Sequence, residues 1–138
     1  MLEDNLILLI EGLKKKNHIK ILLETNGTIF GMRIFSRCDF ISMDIKPPSS
    51  GHSGYNKEAL QYCLRNPKKS QVKVVIQDDN DLKFFKNIIN KKKNKGYPNW
   101  VLQPEWSERG GLDYAKIIKM FGNNIRVVPQ IHRILDIR

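Results

Sequence analysis

Residues 39–51 read DFISMDIKPPSSG, and this stretch decides the fold. A short apolar run, Phe40 to Ile45, ends in polar residues, and two prolines follow almost at once. Because proline has no backbone N–H and cannot extend a central strand, the strand must stop near Lys46. Asp44 and Lys46 therefore lie at the carboxyl end of a strand, which is the end where α/β sheets bind their ligands.

Helical and strand patterns alternate along the rest of the chain. Leucines and isoleucines at three- and four-residue steps predict a first helix over residues 2–13, and similar patterns predict helices over 56–65, after Asp78 or Asp79, and over 112–121. Apolar runs predict further strands over 19–23, 72–76, 100–104 and 125–128.

The spacing permits parallel crossovers, so we expect an α/β fold with a mostly parallel sheet of about five strands. Five strands are too few for a closed eight-stranded barrel and predict a partial, incomplete TIM-like barrel. With no repeat and no linker in the sequence, residues 1–138 are expected to form a single domain.

The charge balance is strongly basic. There are 24 Lys and Arg against 14 Asp and Glu, which gives a net charge of +10. Such an excess attracts nucleic acid, anionic lipid or small anions. The lysine clusters at 14–16 and 91–95, however, lie at predicted helix ends, where cations interact favourably with the helix dipole. Because no aromatic residues are interleaved with them, we do not expect a nucleic-acid partner.

The spacing of the cysteines and the length of the apolar segments indicate the cellular compartment. Cys38 and Cys63 are far apart and belong to no CxxC pair, so they are predicted to be buried thiols in a reducing setting. No apolar run approaches the roughly 20 residues of a membrane span. At the start of the chain, Glu3 and Asp4 stand where a signal peptide would be basic. We therefore expect a cytoplasmic protein with no membrane partner.

Polar side chains follow three predicted strands, in segments 24–27, 44–46 and 103–106. Carboxylate and amide groups can hold the ammonium and hydroxyls of a ligand, a lysine can hold its carboxylate, and a proline or an aromatic ring can pack on a base. This mixture predicts a ligand site. Its candidate residues are Thr25, Asn26, Asp44, Lys46, Gln103, Pro104, Glu105 and Trp106.

Four segments, in the same order along the chain, resemble the 7-carboxy-7-deazaguanine synthases, which are radical S-adenosylmethionine enzymes of 7-deazapurine (queuosine and archaeosine) biosynthesis. The segments are Thr25-Asn26-Gly27, residues 44–51, Leu102-Gln103-Pro104, and residues 130–135, which read QIHRIL. The most specific of them is Lys46-Pro47-Pro48-Ser49-Ser50-Gly51. Many relatives have Ser-Pro-Lys in place of residues 44–46. The family's role for this position therefore carries over to Lys46 better than to Asp44.

The resemblance implies a function for these segments. The family converts 6-carboxy-5,6,7,8-tetrahydropterin to 7-carboxy-7-deazaguanine with S-adenosylmethionine, a [4Fe–4S] cluster and magnesium. The eight candidate residues would then contact S-adenosylmethionine. His132 and the terminal Arg138 would contact the pterin substrate.

The chain also departs from the family. The early part of a synthase carries three cluster cysteines, a Gly-Gly-Glu-Pro-like segment and a magnesium ligand, and none of these is present in this sequence. Cys38 and Cys63 cannot replace three thiolates. The resemblance is to roughly the carboxyl-terminal three-fifths of a synthase. We therefore predict a truncated or split synthase that is inactive alone, and we assign no catalytic or metal-binding residue.

Other interpretations stay open. The chain could be a non-enzymatic remnant or a regulatory module that binds a ligand or a partner, or a basic nucleic-acid-binding protein. Strand 19–23 would ordinarily pair with an earlier strand, and an uncovered edge invites association. The helix over 2–13 could fold over this edge, an amino-terminal fragment with the cluster motif could complete it, or a second copy of the chain could cover it.

Overall fold

The computed structural model describes residues 2–17, 19–52, 54–105, 113–122, 125–130 and 135. Within these residues, five helices and five strands alternate. They are α1 (Leu2–Asn17), β1 (Leu22–Thr25), α2 (Met32–Arg37), β2 (Phe40–Ile45), α3 (Lys57–Arg65), β3 (Ser70–Ile76), α4 (Asp79–Ile89), β4 (Trp100–Pro104), α5 (Tyr114–Phe121) and β5 (Arg126–Val127). Short 3₁₀ turns lie at Pro48–Ser50, Pro67–Lys69 and Lys92–Asn94. The α/β prediction is confirmed.

All five strands are parallel, and their order across the sheet is their order along the chain, β1-β2-β3-β4-β5. Each crossover therefore leads to the neighbouring strand. Because such crossovers are right-handed, a sequential order places every helix on the same face of the sheet. A doubly wound sheet would need a reversal of strand order. This sequential, all-parallel order is consistent with the predicted open, incomplete barrel.

The face of the sheet that carries the helices forms the hydrophobic core. The strand register aligns its buried side chains in rows across the strands: Ile41, Met43 and Ile45 on β2, Val72, Val74 and Ile76 on β3, and Trp100 and Leu102 on β4. Every helix contributes to this core, with Ile10, Phe35, Leu60, Phe85 and Ile117 as examples. Burial of each such side chain stabilises the fold by about 1.5–3 kcal/mol.

The opposite face of the sheet is mainly polar. Side chains alternate between the two faces of a strand, so the residues between the core positions point the other way. Most of these residues are polar, namely Ser42 and Asp44 on β2, Gln71 and Lys73 on β3, and Gln103 on β4, whereas Phe40, Val75 and Val101 on the same face are apolar. Strands that are buried on both faces are usually apolar throughout. The alternation therefore indicates a face that is built to meet polar groups.

Side-chain caps begin three of the helices. The side chains of Asn56, Asp78 and Asp113 each accept hydrogen bonds from two backbone N–H groups of the first turn of α3, α4 and α5, respectively. Such caps typically contribute about 1 kcal/mol each. Of the two predicted caps for α4, Asp78 is the one used. The neighbouring Asp79 carboxylate instead pairs with Lys116, 2.7 Å away.

One helix was not predicted, and the limits of several predicted elements need correction. Helix α2 was not predicted, because its six residues are too few to show a helical repeat. Tertiary contacts stabilise it: Phe35 packs edge-on against Phe30 and Tyr62. Strand β1 begins at Leu22 rather than residue 19, because the pairing with β2 starts at Leu22 and Phe40.

In the described segments, no helix combines the length and the apolar character that crossing a bilayer requires. Cys38 and Cys63 are both buried free thiols, as the sequence predicted.

A buried thiol and a buried phenol in the core, both of which can lose a proton, predict a loss of stability in alkaline solution. Burial raises the pKa of the Cys63 thiol to about 11 and that of Tyr97 to about 12. The unfolded chain releases these protons from about pH 9 upward, whereas the folded chain retains them, so unfolding becomes more favourable as the pH rises. From Cys63 alone, we expect the free energy of unfolding to fall by roughly 2–3 kcal/mol between pH 9 and 11.

Urea unfolding at several pH values tests this expectation. The Cys63→Ala variant should show a shallower decline than the unmodified chain. Identical slopes for the two proteins would contradict the assignment to Cys63.

Candidate ligand site at the carboxyl ends of the strands

Two adjoining cavities lie at the carboxyl ends of β1, β2 and β3. The first has a volume of about 240 Å³ and is lined by Glu24, Thr25, Asn26, Ser42, Asp44 and Lys73. The second has a volume of about 230 Å³, and its lining includes Asp44, Lys46, Ser49, Gln77 and Glu105. Asp44 lines both cavities, so it is the residue that joins them into one site.

The carboxylate of Asp44 is only partly satisfied. Lys46 Nζ donates to Asp44 Oδ2 over 2.7 Å, and the Asp44 side chain is 22% exposed. The other oxygen, Oδ1, is buried and accepts no hydrogen bond from the residues that the structure describes. A buried acceptor without a donor costs about 1–3 kcal/mol. Asp44 thus keeps an acceptor that an ammonium or hydroxyl group of a ligand would satisfy.

The loop after β1 is shaped by its own side chains. Thr25 Oγ1 accepts from the Gly27 N–H at 3.1 Å, and Asn26 Oδ1 accepts from both the N–H and the hydroxyl of Thr28 at 3.1 and 2.8 Å. Gly27 adopts a φ of 66° against the Met43 side chain, and an added Cβ would overlap Met43 Cε. Glycine at this position lets the loop close over β2, which brings Thr25 and Asn26 to the first cavity.

A buried carboxylate holds the loop after β2. Asp81 accepts from the Ser49 N–H at 3.1 Å, from the Ser49 hydroxyl, and from the Gln77 N–H at 2.9 Å. Asp81 is fully buried. Because Ser49 and Gln77 both line the second cavity, Asp81 fixes two of its walls at once.

The polar face of the sheet continues the site toward β5. Gln71 Nε2 donates to Ser42 Oγ at 3.0 Å, and Arg126 Nη2 donates to Gln71 Oε1 at 3.4 Å. Lys73 pairs in register with Asp44 on the neighbouring strand. A ligand on this face would meet donors and acceptors from β2, β3 and β5, with the apolar Val101 of β4 between Lys73 and Arg126.

The structure brings some of the predicted residues together and separates others. Thr25, Asn26 and Asp44 line the first cavity, and Asp44, Lys46 and Glu105 line the second. Gln103 lies on the polar face but lines neither cavity. Pro104 is buried on the core face, paired in register with Ile76. Trp106, His132 and Arg138 lie outside the described residues.

Several residues of the site were not predicted from the sequence. Ser42 and Lys73 line the first cavity, and Gln71 and Arg126 extend the polar face. Glu24, which also lines the first cavity, lies in the predicted segment 24–27 but was not among the candidate residues. The alternation of polar and apolar residues in β2 and β3 was the signal that could have found most of them, because it marks a second, polar face. Asp81 gave no such signal, since its partner Ser49 is 32 residues away.

No family model matches the chain, whereas individual proteins do. The 7-carboxy-7-deazaguanine synthase of Thermoplasma acidophilum is 40% identical over 120 residues, which cover 83% of this chain and 53% of that protein. This chain is homologous to about half of a 7-carboxy-7-deazaguanine synthase. The synthases of Methanopyrus kandleri and Bacillus subtilis are 26% and 28% identical to it, over 93% and 89% of this chain. They are matched over 52% and 58% of their own lengths.

These comparisons confirm the resemblance and its partial extent. The chain spans about half the length of the curated synthases that it matches, which is consistent with a carboxyl-terminal part. The residues present do not fit the [4Fe–4S] cluster of these enzymes, because the chain has only two cysteines and a site-differentiated [4Fe–4S] cluster needs three thiolates. Among the described residues, no group of three His, Cys, Asp or Glu side chains could hold a metal ion.

Proposed function

We propose that this chain is the carboxyl-terminal part of a 7-carboxy-7-deazaguanine synthase, truncated or split, and that it supplies the ligand-binding half of the enzyme. The observation that carries the proposal is the position of Asp44, on the shared wall of two cavities at the strand ends, in a chain homologous to these synthases. The substrate would be 6-carboxy-5,6,7,8-tetrahydropterin and the product 7-carboxy-7-deazaguanine.

The donor set of the site suits S-adenosylmethionine. Asp44 Oδ1 would accept from an ammonium or hydroxyl group, and the Lys46 ammonium would meet a carboxylate. Thr25 and Asn26 bound the first cavity beside Asp44, and Glu105 bounds the second. In the family, S-adenosylmethionine supplies the radical that abstracts hydrogen from the pterin.

The chain is not expected to turn over alone. Three cluster thiolates cannot come from its two buried cysteines. We propose that a second polypeptide, or a preceding segment of a longer one, carries the cluster cysteines and the magnesium ligand. The chain acts as an enzyme only together with that part.

Calorimetric titration with S-adenosylmethionine tests the proposal. The chain is titrated alone and after co-expression with the amino-terminal part of the Thermoplasma acidophilum synthase. We expect binding in the second case, and we expect Asp44→Asn to weaken it about tenfold or more, because a hydrogen bond to a charged group contributes about 1.5–3 kcal/mol. Asp79→Asn is the matched control, since Asp79 is exposed and pairs only at the surface with Lys116.

Each other outcome has a definite meaning. Binding by the chain alone would indicate a self-sufficient ligand module, which is the second candidate function. Absence of binding in both arms would contradict the proposal and leave a remnant fold. Equal losses from Asp44→Asn and Asp79→Asn would remove Asp44 from the site.

A further inference from the structure

The charged side chains divide between the two ends of the sheet. Because each crossover helix runs antiparallel to the strands, its last turn lies where the next strand begins. The lysines and the arginine of residues 14–20, 65–69 and 92–95 lie at this end, since these segments lead from a helix into β1, β3 and β4. We call these cations the basic end. Apart from Glu11 and Asp39, every described carboxylate lies at the opposite end, at a helix start or near the carboxyl end of a strand.

The basic end carries little compensating negative charge. Glu11 pairs with Arg37 over 2.8 Å, and Asp39 pairs with Lys14 over 2.9 Å, so no described carboxylate at this end remains for the other cations. The helix dipole favours cations only in the last turn of a helix, whereas Lys68, Lys93 and Lys95 lie beyond the ends of α3 and α4. With strands about 4.8 Å apart, the cations extend over roughly 14 Å from β1 to β4. A surface of this extent and charge attracts a polyanion.

A cavity of about 490 Å³ lies beside Lys95 at the same end of the sheet. Its apolar walls come from Ile89, Tyr97, Pro98 and Trp100. Asn94 also lines it; this side chain is 1% exposed, and its Nδ2 donates to the Ile88 carbonyl over 2.7 Å. Because a carbonyl oxygen can only accept, this bond fixes the orientation of the amide. Asn94 Oδ1 is therefore a buried acceptor, and no described residue donates to it.

The cavity and the charge together select one class of polyanion. An apolar cavity with a buried acceptor fits a planar base that carries an N–H donor, and every nucleobase has such a donor. In a duplex these donors are already paired, so only an unpaired base could enter. An anionic lipid would satisfy the lysines but would bring no planar donor to the cavity.

We propose that the basic end binds single-stranded nucleic acid, with phosphates on Lys68 and on the lysines of residues 92–95, and with one unpaired base in the cavity donating to Asn94 Oδ1. The sequence did not predict this site, because Tyr97 and Trp100 follow the lysine run instead of alternating with it. The site lies at the opposite end of the sheet from the candidate ligand site, so the inference does not depend on the proposed function.

Fluorescence anisotropy with labelled short single strands of RNA and of DNA tests this inference on the full chain. We expect micromolar binding at about 50 mM salt. We expect Lys93→Gln to weaken binding severalfold and to lower the slope of log K against log salt by roughly 0.7, because one phosphate contact is lost. Lys57→Gln is the matched control, since it removes the same charge from an exposed side chain in the first turn of α3, at the opposite end.

The base is tested by changing the nucleic acid rather than the protein. An abasic strand of the same length should bind about tenfold less tightly than the strand with bases, and a duplex should also bind less tightly. Equal affinities for the three would remove the base from the cavity and overturn the proposal.

Three further results would overturn it. They are no binding of either strand at the lowest salt, equal losses from Lys57→Gln and Lys93→Gln, and binding to phosphatidylserine vesicles without binding to oligonucleotides, which would assign the basic end to a lipid surface. A preference for RNA over DNA, or the reverse, would support the proposal and identify the sugar that the site accepts.

Discussion

Replacement of Asp81 by alanine is expected to lower the free energy of unfolding by about 2–4 kcal/mol and to release the loop after β2. The Asp81 carboxylate accepts three hydrogen bonds, two from Ser49 and one from Gln77. Hydrogen bonds to a charged group contribute about 1.5–3 kcal/mol each, and alanine removes all three; because Ser49 and Gln77 are exposed, water replaces part of this loss. Urea unfolding measures the stability, and hydrogen exchange at Ser49 measures the release of the loop.

Asp79→Ala is the control for this prediction. Asp79 lies two residues away in the same helix turn, but it is exposed, and its partner is Lys116 at the surface. A surface ion pair contributes about 0–1 kcal/mol, so the control should be nearly neutral. Asp81→Asn should fall between the two, because the amide keeps one acceptor oxygen. If Asp81→Ala and Asp79→Ala cost the same, Asp81 does not anchor the loop.

The second large effect is expected at Gly27. Gly27→Ala should lower the free energy of unfolding by about 2–4 kcal/mol, because two costs add: a side chain at a φ of 66° costs about 1–2 kcal/mol, and overpacking against Met43 costs about 1–3 kcal/mol. Met43 is fully buried, and its Cγ, which cannot swing away as its terminal methyl group can, would lie 2.9 Å from the added Cβ. Thr25 and Asn26, which line the first cavity, would shift with the loop, so ligand affinity should fall together with stability.

Gly51→Ala separates the two costs. Gly51 has a φ of 75°, but an added Cβ there meets none of the described residues within 4 Å. Gly51→Ala should therefore show the backbone cost alone. A Gly27→Ala effect no larger than that of Gly51→Ala would show that the contact with Met43 is not limiting. Combination of Gly27→Ala with Met43→Val should cost less than the sum of the two single changes.

Parts of the fold could be predicted to the residue, and the reason is local. Strand β2 ends at Ile45 because Pro47 and Pro48 follow it, and β4 spans Trp100–Pro104 as predicted, because a proline closes it. Where no such residue marks the end, the limits depend on pairing. Strand β3 begins at Ser70, two residues earlier than predicted, because Ser70 pairs in register with Ile41.

Site residues that lie at strand ends could be predicted from the sequence. Residues whose place depends on which face of the sheet they occupy, or on contacts distant in sequence, could not. Asp44 and Lys46 follow from the proline stop, and they do line a shared cavity. Pro104 also lies at a strand end, but the register turns it toward the core beside Ile76. The role of Asp81 needs the folded chain, because it comes from a contact between α4 and the loop after β2.

Formation of 7-carboxy-7-deazaguanine tests the central claim most directly, namely that this chain is one half of a synthase. The product would be measured by mass spectrometry, under anaerobic conditions with iron, sulfide, a reductant, S-adenosylmethionine and the pterin substrate. The samples are this chain alone, the amino-terminal part of the Thermoplasma acidophilum synthase alone, and the two co-expressed. We predict product only from the co-expressed pair. Product from this chain alone, or a pair no more active than the amino-terminal part alone, would contradict the claim.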